Sequence, residues 1–164
     1  MGIDIPGELA DLLNELGYTW PKADETQLFE MGREWMSWGE KLRPIVEEAS
    51  TAANQVTSAN QGNAVEAFGK LWGADSSAAN TLSQGSMGSY AIGGGLMVCA
   101  GIVLALKINV IVQLTILLVE IIQAIATAVV TFGASLLEIP VFKKLTDIAI
   151  NFLISQALEV VLGG

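Results

Sequence analysis

A long stretch with almost no charge is the feature that most constrains this chain. Between Ser86 and Leu137 the only charged side chains are Lys107 and Glu120. Residues 86–106 alone form an uncharged run of 21 positions, and a helix needs about 20 apolar residues to span a bilayer. Glycines at 93–95 weaken that run as an isolated helix. These residues must therefore be covered by protein or by lipid.

Charge is concentrated in the other half of the sequence. Residues 1–85 carry 13 acidic and 5 basic side chains, whereas residues 86–164 carry 4 and 3. The whole chain of 164 residues has a formal net charge of −9. Such acidity excludes nucleic acid as a partner, because binding it requires basic side chains that neutralise phosphates. It also disfavours electrostatic docking on anionic lipid.

The chemistry of an enzyme is missing from the sequence. There is no histidine, and the single cysteine, Cys99, lies in an apolar run, where we expect it to be a small buried hydrophobic side chain. Gly93–Gly95 has neither the lysine nor the spacing of a phosphate loop. Glu120 and Glu138 are too isolated to form an acid–base pair. We therefore predict a non-enzymatic protein with no cofactor and no metal.

The N-terminal segment predicts a short helix within residues 1–20. Leu9, Leu12, Leu13 and Leu16 have helical spacing, and Gly17 follows as a stop signal. The segment is acidic and lacks the basic start and apolar core of a general secretory signal. Export of this chain would therefore use a different route.

A long amphipathic helix is predicted over residues 24–57. Asp24 and Gln27 have the spacing of a capping box, and Pro44 is expected to kink the helix. Apolar residues then recur in steps of three and four, which places them on one helix face; they are Leu28, Met31, Trp35, Trp38, Leu42, Ile45, Ala49, Ala52 and Val56. The first five are predicted to be either core or a surface that docks a partner helix.

An elbow should follow this helix. Residues 58–63 are turn and cap residues around Gly62, and Asn63 with Glu66 has the spacing of a second capping box. A returning helix is predicted over 63–84, with Phe68 and Trp72 packed against the first helix. The glycine-rich segment 85–95 is expected to be either flexible or tightly packed.

The apolar C-terminal half of the chain is predicted to form further helices over residues 86–162. One of them carries a polar stripe, and the last begins after Pro140; the stripe comprises Asn109, Gln113, Glu120, Gln123 and Thr127. Two arrangements fit: inner helices of a soluble bundle, or lipid-facing helices whose polar stripes line a pore. We favour the soluble bundle because the apolar stripe of the predicted helix over residues 24–57 has to pack against something, and the apolar helices are the nearest candidates.

Four segments resemble a known family in their order and spacing. They are GIDIPGEL at 2–9, WPKADETQL at 20–28, QGNAVEAFGKLW at 61–72 and TFGASLLEIP at 131–140. Together they resemble the Trp-X-Gly (WXG) superfamily, and more narrowly the CpnT-like N-terminal domains of actinobacterial polymorphic toxins exported by type VII secretion. Asn60 stands where the superfamily has its elbow tryptophan. Neither Tyr18 nor Tyr90 has an acid four positions on, as the export tag of such proteins requires.

The resemblance implies an all-α fold, a long antiparallel helical hairpin packed with very hydrophobic helices, in one domain over residues 1–164. It implies a targeting and partner-docking domain of a secreted toxin, found outside the cell or in its envelope. Expected partners are a small WXG-type helical chain or a second copy, together with the secretion machinery. The expected interface comprises Leu28, Met31, Trp35, Trp38, Leu42, Gly62, Phe68 and Trp72. The alternatives are a membrane channel built from residues 86–162 and a structural bundle with no secretion role.

Overall fold

The computed structural model describes residues 2–162 and contains five α-helices in that range. They are α1 (Gly7–Glu15), α2 (Glu25–Ala59), α3 (Asn63–Trp72), α4 (Ala78–Thr127) and α5 (Ile139–Leu162), with a short 3₁₀ helix over Ala134–Glu138. The described residues contain no strand. The predicted all-α class is confirmed.

The limits of the helices differ from the predicted ones after the elbow. The returning helix predicted over 63–84 is two helices, because α3 ends at Trp72 and Ser77 starts α4 by accepting a hydrogen bond from the Asn80 amide (3.2 Å). No break separates residues 84 and 86. The glycine-rich segment 85–95 is helical throughout and belongs to α4.

Two helix starts were predicted as capping boxes, and one of those predictions is wrong. The Asp24 carboxylate does accept hydrogen bonds from the Thr26 and Gln27 amides (3.0 and 3.1 Å). Asn63, in contrast, is already the first residue of α3. The cap is Gly62, which makes no side-chain hydrogen bond and has φ +117°. The elbow is therefore set by a backbone conformation that favours glycine.

Contacts divide the chain into two compact units. One consists of residues 28–98. Here α2 and the first part of α4 approach closely at Gly32 and Gly93, where an added Cβ would lie 2.7–2.8 Å from the opposite carbonyl oxygen. Further along, Ser86 donates a hydrogen bond to the Gly39 carbonyl (2.9 Å). These contacts make the predicted hairpin, with α4 rather than α3 as its second arm.

The other unit contains residues 2–27 and 99–162. Its apolar core joins α1, the second part of α4, and α5; it comprises Leu9, Leu13, Val110, Leu114 and Ile150. The Tyr18 hydroxyl donates to the Asp147 carboxylate (2.8 Å), and Lys143 pairs with Glu15 (2.5 Å). The N-terminal segment is thus held by α5 as well as by α4.

Candidate docking surface

Helix α2 has two apolar faces, of which the fold uses one. The packed face carries glycine and moderately sized side chains, and it lies against α4 at Gly32 and Gly39. Leu42 and Ala53 are buried further along the helix. The predicted stripe overlaps this face only in part, so much of it remains on the surface.

Three exposed residues of the predicted stripe and the neighbouring Glu34 form a patch, which we call the tryptophan patch: Met31, Glu34, Trp35 and Trp38. Met31, Trp35 and Trp38 are 47%, 40% and 54% exposed. Together with Glu34 they line an open cavity of about 340 Å³. Ile45, also exposed, follows Trp38 seven positions on along the same side. Solvent-exposed tryptophans grouped in a cavity are typical of binding surfaces.

The other residues of the predicted interface lie elsewhere. Leu42 is buried and Leu28 half-buried, so both are part of the protein interior. Phe68 and Trp72 are half-buried on α3 and stack on each other, with ring centroids 5.9 Å apart. Gly62 is exposed in the elbow. The structure therefore brings together Met31, Trp35 and Trp38 and separates them from the elbow residues.

The predicted polar stripe of α4 is present along one side of the helix. Asn109, Gln123 and Thr127 are exposed, and Gln113 and Glu120 are half-buried. Asn109 and Thr127 donate hydrogen bonds to carbonyls of their own helix, those of Ala105 (2.8 Å) and Gln123 (2.9 Å). Asn109 also lines a groove between α4 and α5 of about 170 Å³. The stripe's polar groups are thus partly satisfied within the helix itself.

Large aliphatic surfaces are uncovered on α4 and α5. On α4 the exposed residues follow one face in steps of four, four, three and three; they are Ile108, Val112, Ile116, Val119 and Ile122. On α5 the corresponding residues are Val141, Leu145 and Ile148, and the exposed aromatic Phe152 follows them on the same face. We refer to the two sets as the aliphatic faces. Surfaces of this kind contact another protein or a membrane.

By length and composition, two segments are able to cross a membrane. One is Ala78–Thr127, with a mean hydropathy of 2.4 over its most apolar window, of which 22% is buried. The other is Ala134–Leu162, whose most apolar window has a mean hydropathy of 1.6 and is 11% buried. The prediction that these helices are inner helices of a bundle is thus met only in part, since most of each window lies on the surface of the chain.

A buried ion pair between Lys107 and Glu25 is among the polar contacts that the sequence did not predict. The Lys107 ammonium lies 2.8 Å from the Glu25 carboxylate, and their side chains are only 4% and 8% exposed. The same ammonium lies 5.7 Å from the centre of the Trp20 ring, and the Ile3 amide donates to Glu25. The hydrogen bond from Lys107 lowers the pKa of Glu25 to about 2. One signal was available: Lys107 is one of two charges in the long apolar stretch.

A second polar contact between distant residues joins the Tyr18 hydroxyl to the Asp147 carboxylate. The hydrogen bond from Tyr18 to the Asp147 carboxylate raises the pKa of the phenol, because ionised Tyr18 would lose the bond and face a negative charge.

No group of three or more acidic, histidine or cysteine side chains within residues 2–162 is arranged to hold a metal ion.

The architecture defines a class: an all-α chain with a helical hairpin, a glycine-bounded elbow and apolar helices. Comparison with family models places it more narrowly. A model described as WXG100 like domain matches residues 4–143, and the chain belongs to this family. No curated protein matches the chain. No solved structure matches it either.

Family membership gives the function in coarse terms. The chain is a helical protein related to type VII secretion, a route of export from the cell. Its family is typically non-enzymatic, and its members commonly self-associate or pair with other WXG proteins.

Proposed function

We propose that this chain is the N-terminal targeting and docking domain of a type VII secreted toxin and that it acts without catalysis. Its tryptophan patch receives a helix from a small WXG-type partner or from a second copy. A small WXG-type partner would also supply the export signal, because in this chain neither Tyr18 nor Tyr90 is followed four positions on by the acid that the signal requires.

The observation that carries this proposal is the exposure of Met31, Trp35 and Trp38 on one side of α2. Burying an exposed tryptophan removes apolar surface from water, which is favourable by about 25 cal/mol per Å². The packed face of α2 lies elsewhere, at Gly32 and Gly39. The patch is therefore free for a second helix, as in helix-in-groove recognition.

Export of a patch variant tests the proposal. Trp35→Gln/Trp38→Gln should reduce the secreted fraction at least tenfold in the producing bacterium, while the far-ultraviolet circular dichroism and the melting temperature stay close to those of the wild type. Phe29→Gln is the matched control, because Phe29 is 49% exposed on another side of the same helix. Unchanged export of the double variant would contradict the proposal and favour a structural bundle with no secretion role.

The aliphatic faces favour a second function, a membrane-inserted channel built from residues 86–162. Only 22% and 11% of the two apolar windows are buried, and the stripe containing Gln113 and Glu120 would then face water in a pore. In this arrangement the half-buried Glu120 has to face the pore. A carboxylate that faced lipid at the centre of the bilayer would cost about 3 kcal/mol by insertion scales.

A further inference from the structure

The tryptophan patch combines aromatic rings with a carboxylate, and both kinds of group attract organic cations. Trp35, Trp38 and Glu34 line the same open cavity. The face of an indole ring carries partial negative charge and attracts an ammonium or guanidinium group within about 6 Å. A carboxylate beside the ring adds a charge-assisted hydrogen bond.

The chain already uses this combination elsewhere. Inside the other unit, the Lys107 ammonium lies 2.8 Å from the Glu25 carboxylate and 5.7 Å from the centre of the Trp20 ring. One tryptophan and one glutamate thus hold a lysine in the interior. The tryptophan patch offers a glutamate and two tryptophans on the surface.

No cation of the chain fills the patch. Across residues 2–162, Glu34 forms no ion pair, and Lys107 with Trp20 is the one cation–π contact. Arg33, the residue before Glu34, is exposed and forms no ion pair within residues 2–162, and Arg43 further along the helix is bound to Glu47 (2.9 Å). The net charge of −8 over residues 1–85, from 13 acidic and 5 basic side chains, adds long-range attraction for a basic partner.

We infer that the tryptophan patch recognises an arginine or lysine side chain that a partner helix projects into the cavity between Trp35, Trp38 and Glu34. The inference rests on the proposed docking function and specifies its partner. The aliphatic stem of the cation packs on Met31 and the rings, and its charged end meets Glu34. Such a contact sets the register of the two helices, because an uncharged residue at that position leaves Glu34 without a partner.

The test is a nuclear magnetic resonance titration of the full chain with the tryptophan indole groups labelled with ¹⁵N. The probe is N-acetyl-arginine methylamide, and the matched control probe is the citrulline analogue, which has almost the same shape but no charge. We expect the arginine probe to shift the indole signals of Trp35 and Trp38 in a saturable manner. The signal of Trp20, whose indole nitrogen is buried, serves as the internal reference.

Variants make the assignment specific. Glu34→Gln should weaken binding of the arginine probe about fivefold or more, since a neutral amide replaces the charged acceptor. Glu40→Gln, at another exposed position of α2, should leave binding unchanged. The inference would be overturned by equal shifts with the arginine and citrulline probes or by no shift at all. It would also be overturned if phosphocholine, a lipid headgroup that carries a quaternary ammonium, bound more tightly than the arginine probe.

The two proposals fail in different ways. If the arginine and citrulline probes behave alike while Trp35→Gln/Trp38→Gln still blocks export, docking stands and cation recognition is wrong. If export is normal in that double variant, the docking function fails whatever the titration shows.

Discussion

At the scale of single residues, the Lys107–Glu25 pair is a contact whose disruption we expect to destabilise the fold. Both side chains are buried, and Trp20 covers the ammonium. The pair links the first residue of α2 to the second part of α4, and both residues lie in the unit of residues 2–27 and 99–162. Removing one partner of a buried pair is costly because the other charge stays buried without a partner, whereas replacing both partners often costs little.

Removing one partner should therefore be severe. Lys107→Met leaves the Glu25 charge buried and unpaired, and we expect the free energy of unfolding in urea to fall by about 3–5 kcal/mol. The double variant Glu25→Gln/Lys107→Met should regain most of that loss, because no buried charge remains. Equal stability of wild type and Lys107→Met would show that the pair contributes nothing.

The same pair predicts a dependence on pH. The pKa of Glu25 is lowered from 4.5 to about 2 in the folded chain, so the folded state binds a proton at this site less readily than the unfolded state. Its contribution is complete above about pH 4.5 and is lost as the pH falls towards 2. The difference in unfolding free energy between wild type and Glu25→Gln should shrink over that window. A difference that stays constant would contradict the assignment.

At the scale of helices, the hairpin depends on close approach at glycine. The sequence indicated a long helix over 24–57 and an elbow at Gly62, and both are present as α2 and the turn before α3. The packed face was not predicted correctly, since hydrophobic periodicity gives no weight to Gly32 and Gly39 although they lie seven positions apart. The Trp-rich stripe gave the stronger pattern but lies largely on the surface.

Contacts between distant residues were beyond the sequence altogether. Nothing local to Glu25 or Lys107 shows that they meet, because the pairing joins positions 82 apart in the chain. The polar stripe of α4, in contrast, follows from helical spacing alone, and its residues do lie along one side of that helix. Patterns within one helix were therefore readable, whereas the choice of packing partner was not.

The glycine contact gives a prediction with an internal control. Gly93→Ala places a Cβ 2.7 Å from the Gly32 carbonyl oxygen, and the resulting displacement should destabilise the fold by about 1–3 kcal/mol. Gly95→Ala, also in α4, has no atom within 4 Å of the added Cβ. It should instead stabilise the helix by roughly 0.5–1 kcal/mol. Thermal unfolding of both variants measures the two signs, and a stabilising Gly93→Ala would refute the close contact.

At the scale of the whole molecule, the aliphatic faces of α4 and α5 require a cover. Exposed Ile116 and Val119 lie near the middle of the α4 face. If copies of the chain cover each other there, Ile116→Glu/Val119→Glu should lower the molar mass in solution towards that of the monomer, because burying two charges opposes association. Asn54→Glu/Gln55→Glu, which adds the same charge at exposed positions of α2, should leave the mass unchanged. A mass unaffected by the α4 variant would exclude this face as the contact between copies.

The central claim is that the chain works by helix-on-helix docking rather than by insertion into lipid. Size-exclusion chromatography with light scattering, on protein made without detergent and then added to dye-loaded liposomes, tests it most directly. We expect a discrete soluble oligomer that leaves the liposomes intact, because another copy or a partner chain would cover the aliphatic faces. Aggregation without detergent together with release of the dye would contradict it and make the channel the function of residues 86–162.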